Sequence, residues 1–147
     1  MEVSVAVKGA IDLLEDILDK SGATVTVGPL PRVLGSITEL TRVFQNLISN
    51  AVKYRSARSP RIDIYFQDDA DGITIFIDDN GMGIPENIRR SLFGFRTQAS
   101  EKSNGQGIGL SICTSIMNKH QGSISVEESK LGGSSFKLLF PILESKI

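Results

Sequence analysis

Two asparagines, Asn46 and Asn50, stand one helical turn apart in LTRVFQNLISNAVKYR, and Lys53 continues the same register. On a helix all three side chains leave one face. An amide oxygen is a hard ligand of the kind Mg²⁺ takes in small number beside water and phosphate, and a lysine ammonium neutralises phosphate charge. The solvated face of an ordinary amphipathic helix carries the same residue types, so the pattern by itself does not define a site.

Two glycine segments lie downstream, DDNGMGIP at 78–85 and GQGIGLSI at 105–112. Asp-Asn-Gly is a common hairpin signal, but MGIP and a short helical stretch come next instead of a returning strand. The alternative is backbone brought close to a flat ligand, with Asp79 at the strand end accepting a hydrogen bond from an exocyclic amino group and so choosing adenine over guanine. In the second segment Gly105, Gly107 and Gly109 open a helix, where unpaired N–H groups and the positive dipole end attract phosphate. A flexible loop would have the same composition. Neither a Walker A loop nor a Rossmann G-x-G-x-x-G is present, since no GK[ST] follows and no strand precedes. The order of the three segments on one chain points to a pocket for ATP.

The elements that must hold these residues are legible from periodicity. Ala10, Ile11, Leu14, Ile17 and Leu18 keep a helical repeat until Ser21 and Gly22. ATVTV at 23–27 alternates as a strand, and Arg32 to Leu34 can pair briefly. Ser36 begins a second helix with Glu39 completing a capping box. Leu40, Val43, Phe44, Leu47, Ile48 and Ala51 form its apolar stripe. Ile62, Ile64 and Phe66, then Ile73, Ile75 and Ile77, line one face of a hairpin turned by DDADG. PENIRRSL suits a short helix, and 93–105 reads as a polar loop with the composition of a lid. Ile112, Cys113, Ile116 and Met117 restore the helical period before the strands SISVEE and SSFKLLF. The expected fold is an α/β two-layer sandwich, a mixed, largely antiparallel sheet with the long helices on one face.

Composition narrows the partners. A chain of 147 residues is a single domain able to bury its own core. With 16 basic against 17 acidic residues it has no footprint for nucleic acid. No apolar run approaches the ~18 residues of a membrane span, and the first residues do not resemble a signal peptide. The expectation is a cytoplasmic monomeric domain, whose parent can be membrane-anchored. Cys113 and His120, the only cysteine and histidine, read as structural residues in or at the end of an apolar helix.

Taken together the segments resemble the ATP-binding catalytic domain of sensor histidine kinases, in the superfamily shared with DNA gyrase, mismatch-repair ATPases and a heat-shock chaperone. The resemblance covers nearly the whole chain, 1–147: FQNLISNAVKY is similar to the N box, DDNGMGIP and GQGIGLSI to the two glycine boxes, and LFGFRT to the phenylalanine box. It implies ATP and Mg²⁺ as cofactors, with Asn50 as the Mg²⁺ ligand and Asn46, Lys53 and Tyr54 on the nucleotide side. Asp79 would bind the adenine amino group above Gly81, Gly83 and Ile84. Gly105, Gln106, Gly107, Ile108, Gly109 and Leu110 would line the phosphates, with Arg96, Thr97 and Lys102 in the lid and Ser134 closing the base pocket.

Two departures stand out. Only Gly94 separates Phe93 from Phe95, where the family usually has two residues, and Ser36 stands where it often has aspartate. No segment resembling the family's phosphoacceptor H-E-x-R-x-P-L occurs, so the resemblance implies a histidine-bearing dimerisation domain, in cis or trans, and a response regulator behind it. Hydrolysing members of the superfamily carry a glutamate one turn before the Mg²⁺ asparagine. Here Asn46 occupies that place, and an amide cannot serve as a general base. The expected activity is transfer of the γ-phosphoryl group to an external histidine. The alternatives are a serine kinase of the anti-sigma type and a non-catalytic module that binds nucleotide or a partner.

Overall fold

The computed structural model describes residues 1–92 and 106–141. The lid segment at 93–105, with Arg96, Thr97, Lys102 and Gly105, lies outside them.

Helices α1 (Val3–Leu13) and α2 (Glu15–Ser21) open the chain. Periodicity predicts one helix here, but the chain breaks at Leu14, whose φ of −105° and ψ of 14° depart from helical values. The break keeps Ala10, Leu14 and Leu18 in the core while Ile17 faces solvent. Gly22, in the left-handed region at φ 71°, ends α2. Strand β1 (Thr24–Val27) comes next, and Arg32 makes only an isolated antiparallel bridge to Glu2.

Helix α3 (Ile37–Lys53) is capped by Ser36, whose Oγ accepts from the Glu39 N–H at 3.1 Å. The reciprocal arm of the expected capping box is replaced by contacts to a more distant part of the chain. The Ser36 N–H donates to His120 Nε2 at 3.1 Å, and the Glu39 carboxylate pairs with Lys119 at 2.9 Å. Tertiary partners thus displace the local bond. The predicted stripe from Leu40 to Ala51 is buried throughout, and each such side chain contributes roughly 1.5–3 kcal/mol by leaving water.

Strands β2 (Arg61–Asp69) and β3 (Gly72–Asp79) form the expected antiparallel hairpin. Helix α4 (Glu86–Leu92), helix α5 (Gln106–Lys119) and strands β4 (Ser123–Glu128) and β5 (Ser134–Pro141) complete the described fold. The sheet has five strands in the order β1-β2-β3-β5-β4, with β1 parallel to β2 and every other pair antiparallel. One face presents Ile62, Ile64, Ile75, Ile77, Phe136 and Leu138 to a core shared with α1, α3 and α5. The architecture is the mixed two-layer α/β arrangement expected. No described helix is long and apolar enough to cross a membrane.

Candidate functional site

The C-terminal half of α3, the end of β3 with its adjoining loop, and the start of β5 converge on an open-mouthed cleft of about 620 Å³. Asn50 and Tyr54 come from α3, Asp79 from β3, Gly83 and Ile84 from the loop, and Ser134 from β5. Ala51, Met82, Pro85, Ile88 and Phe136 supply its apolar wall. Such a slot, apolar with a few convergent polar groups, suits the flat face of a heteroaromatic base.

Asp79 is the most constrained polar group in the cleft. It is only 6 % exposed, and its Oδ1 accepts from the N–H of Gly81 at 2.9 Å and of Ser134 at 3.0 Å. Oδ2 accepts nothing among the described residues and is the oxygen left for a ligand. Burial pushes the carboxyl above its usual range, the two backbone donors pull it down, and the neighbouring Asp78 charge adds to the rise. The glycines are required by proximity: a Cβ on Gly133 would collide with Asp79 Oδ1 and Gly81 N, and one on Gly81 would stand 2.8 Å from Tyr54 O.

Asn80, between Asp79 and Gly81, performs a different task. Its Oδ1 accepts from Arg61 N at 2.9 Å and its Nδ2 donates to Ser59 O at 3.0 Å. It staples the loop to the start of β2, and Met82 N donating to Tyr54 O at 3.0 Å ties the same loop to the end of α3.

Asn50 Nδ2 is buried without a hydrogen-bond partner among the described residues. Such an orphaned amide at the wall of a cleft is the state expected of a group whose partner is a ligand. Rotation of the amide by a half-turn places its oxygen where the nitrogen lies. Among the described residues no group of three or more His, Cys, Asp or Glu could hold a metal. A single amide oxygen at Asn50 is a donor that Mg²⁺ would accept together with phosphate and water.

Asn46 and Leu110 are not among the residues that line the cleft. Asn46 Nδ2 donates to Cys113 Sγ at 3.8 Å, so this amide lies between α3 and α5. The Lys53 ammonium is 5.3 Å from the centre of the Tyr54 ring. Leu110 is fully buried in the core, so only its backbone is available to a ligand. Gln106, Gly107, Ile108 and Gly109 form the first turn of α5, where backbone N–H groups have no intrahelical acceptor. Cys113 is buried, with its thiol pushed up to about 11 by desolvation against the opposing Asn46 bond, and is no nucleophile at neutral pH. His120 Nδ1 lies 2.8 Å from Ile116 O while Nε2 accepts from Ser36, which fixes a neutral ring with its proton on Nδ1. Sequence reasoning does not single out Asp78, Asn80, Gly133 or Phe136; Gly133, in a GGSS turn, carries the one usable signal.

The phytochrome-like protein Cph1 of Synechocystis sp. is 36% identical over 143 residues, covering 96% of this chain and 19% of that protein. The sensor histidine kinase CpxA of Escherichia coli is 32% identical over 132 residues, covering 84% of this chain and 28% of that protein. The chain thus spans less than a third of either relative. Among solved structures, the ATP-binding domain of PrrB from Mycobacterium tuberculosis superposes with a TM-score of 0.72 at 26% identity, covering 95% of this chain and 92% of that one. The catalytic domain of the histidine kinase ThkA shares the fold, with a TM-score of 0.78 at 24% identity over 96% of this chain and 94% of that one. The model of the histidine kinase-, DNA gyrase B-, and HSP90-like ATPases matches residues 35–144, and the chain belongs to that family.

Proposed function

We propose that this chain binds Mg-ATP and presents the γ-phosphoryl group to a histidine on a separate dimerisation domain, as the catalytic half of a sensor histidine kinase. The observation that carries the reading is Asp79. It is a desolvated carboxylate with one oxygen anchored by two backbone donors and the other left for a ligand, in a cleft also lined by Asn50, whose Nδ2 has no partner among the described residues.

In this reading Asp79 Oδ2 accepts the adenine amino group, and the apolar wall excludes water from the base. Asn50 Oδ1 would hold Mg²⁺, which would spread the phosphate charge. The N–H groups opening α5 receive phosphate oxygens, as helix N-termini do. The incoming imidazole nitrogen forms the N–P bond as the P–O bond to ADP breaks, and the imidazole proton departs to solvent. Phosphoryl transfer of this type needs positioning and charge neutralisation from the protein more than covalent chemistry. Rapid hydrolysis needs a base on the attacking water, and the position one turn before Asn50 holds Asn46, whose amide contacts Cys113.

Calorimetry of the purified chain with ATP and with GTP, each with and without Mg²⁺, tests the reading. The expected result is preferential ATP binding, strengthened by Mg²⁺, with the Mg²⁺ enhancement absent in Asn50→Ala. Equal affinity for ATP and GTP contradicts it.

A further inference from the structure

Asp78 is the immediate neighbour of Asp79, and strand alternation sends the two carboxylates to opposite faces of the sheet. Asp79 faces the cleft. Asp78 lies on the face away from the helices, where a solvated side chain is expected, yet it is only 1 % exposed. A carboxylate buried there is costly unless each oxygen is met by a donor. Both are: Oδ1 accepts from Ser135 Oγ at 2.5 Å, Oδ2 accepts from Tyr65 OH at 2.7 Å, and Lys130 Nζ stands 3.8 Å from Oδ2.

These donors come from three separate pieces of chain. Tyr65 belongs to β2 and is braced by stacking on Phe76, ring centroids 4.9 Å apart and 6° from parallel. Ser135 belongs to β5 and is the register partner of Asp78. Lys130 belongs to the turn between β4 and β5, and its ammonium sits 4.2 Å over the Tyr65 ring. Neighbouring charges on this face are committed to one another, Arg61 to Asp63 and Lys137 to Glu127.

That same turn and the start of β5 deliver two backbone donors to Asp79, one to its carbonyl and one to its carboxylate. Gly133 N donates to Asp79 O at 3.1 Å, and Ser134 N donates to Asp79 Oδ1. Ser134 and Ser135 therefore hold the two aspartates from opposite sides of one strand pair. We infer that Asp78 is a positioning residue for base recognition: by gripping Ser135 and Lys130 from the outer face, it holds the start of β5 where the Ser134 N–H meets Asp79 Oδ1 and helps aim that carboxylate into the cleft. The inference rests on the reading of Asp79 as the adenine contact and adds to it a group that never touches nucleotide.

The test uses the whole chain, Mg-ADP and Mg-GDP, with thermal melting to confirm that each variant is folded. Ser135→Ala and Asp78→Asn are expected to weaken Mg-ADP binding by roughly tenfold and to narrow the ADP-over-GDP preference, while the Mg²⁺ enhancement stays as in the parent chain. Ser135→Thr, which keeps the hydroxyl, should restore both affinity and preference. Tyr65→Phe, the mildest change, should show the same loss on a smaller scale. Folded variants that keep full affinity and preference would overturn the inference, as would a Ser135→Thr variant no better than Ser135→Ala. A parent chain that binds no adenine nucleotide would instead refute the reading of the site itself.

Discussion

At Asp79, binding and stability pull in opposite directions. Its carboxyl is raised in the folded chain, first by desolvation. Between the ordinary carboxylate pKa and the raised one, the folded protein keeps a proton that the unfolded chain has released, so stability falls as pH climbs through that window. Above that window the raised pKa is a standing cost to stability. Asp79→Asn keeps an oxygen for the Gly81 and Ser134 donors and removes the charge, so the nucleotide-free variant should melt higher than the parent at pH 7, and the gap should close at pH values below the ordinary carboxylate range. The same change sets an amide N–H₂ against the adenine amino group and should cost ~1–3 kcal/mol of binding, or roughly five- to over a hundredfold in affinity. Melting curves at the two pH values beside calorimetry check both halves; a variant that melts lower and binds unchanged contradicts both. The place of Asp79 at a cleft was legible because MGIP and a short helix, and no returning strand, follow the Asp-Asn-Gly that otherwise signals a hairpin. Asp78, the same residue type one position earlier, could not, since its partners lie 13 and 57 residues away. Asn46 and Asn50 share a helical stripe, and only the packing of α5 separates the amide between helices from the amide in the cleft.

The elements that carry the site are locked together at their far ends. His120 closes α5 onto the first turn of α3, with one ring nitrogen given to Ile116 O and the other taking the Ser36 N–H. Replacing it with Ala leaves that half-buried N–H unpaired and should cost ~1–3 kcal/mol, a drop of roughly 2–4 °C in Tm per kcal/mol for a chain of this size, with Mg-ATP affinity unchanged. Glu39→Ala removes only an exposed pair with Lys119 and should leave Tm nearly where it was. A parental melting temperature in His120→Ala would show that the ring does not hold the helices. Gly133→Ala belongs to the same scale but to the other end: its Cβ has no room beside Asp79 and Gly81, so it should lower Tm and abolish Mg-ADP binding together, and retention of binding would disprove that close approach. Periodicity made the faces of α3, β2 and β3 readable in advance. It could not place β5 between β3 and β4, because period-two alternation reports which face a residue takes and says nothing about which strand lies beside it. The break at Leu14 was hidden for a related reason: the apolar repeat runs through it, and the cause is the shape of the core.

At the scale of the whole molecule, the described residues contain a cleft lined for a flat ligand and no histidine free to accept the group it would transfer. His120 is the sole histidine, and both of its ring nitrogens are engaged in holding α3 to α5. An imidazole attacks phosphorus through an unprotonated nitrogen lone pair, and on His120 that lone pair points at Ser36 N, 3.1 Å away. The chain alone, incubated with γ-labelled ATP and Mg²⁺, should therefore acquire no stable label and release phosphate slowly, since Asn46 offers no base to activate water. Supplied in trans with a dimerising helical hairpin bearing the acceptor histidine from its own parent or a near relative, it should label that hairpin with acid-labile, base-stable phosphate. Asn50→Ala should suppress the labelling by losing the Mg²⁺ ligand, and Asp79→Asn should suppress it in proportion to lost nucleotide affinity. Label on His120, or fast phosphate release with no partner present, would show that the chain completes a reaction by itself and would overturn the assignment of the nucleophile to another domain.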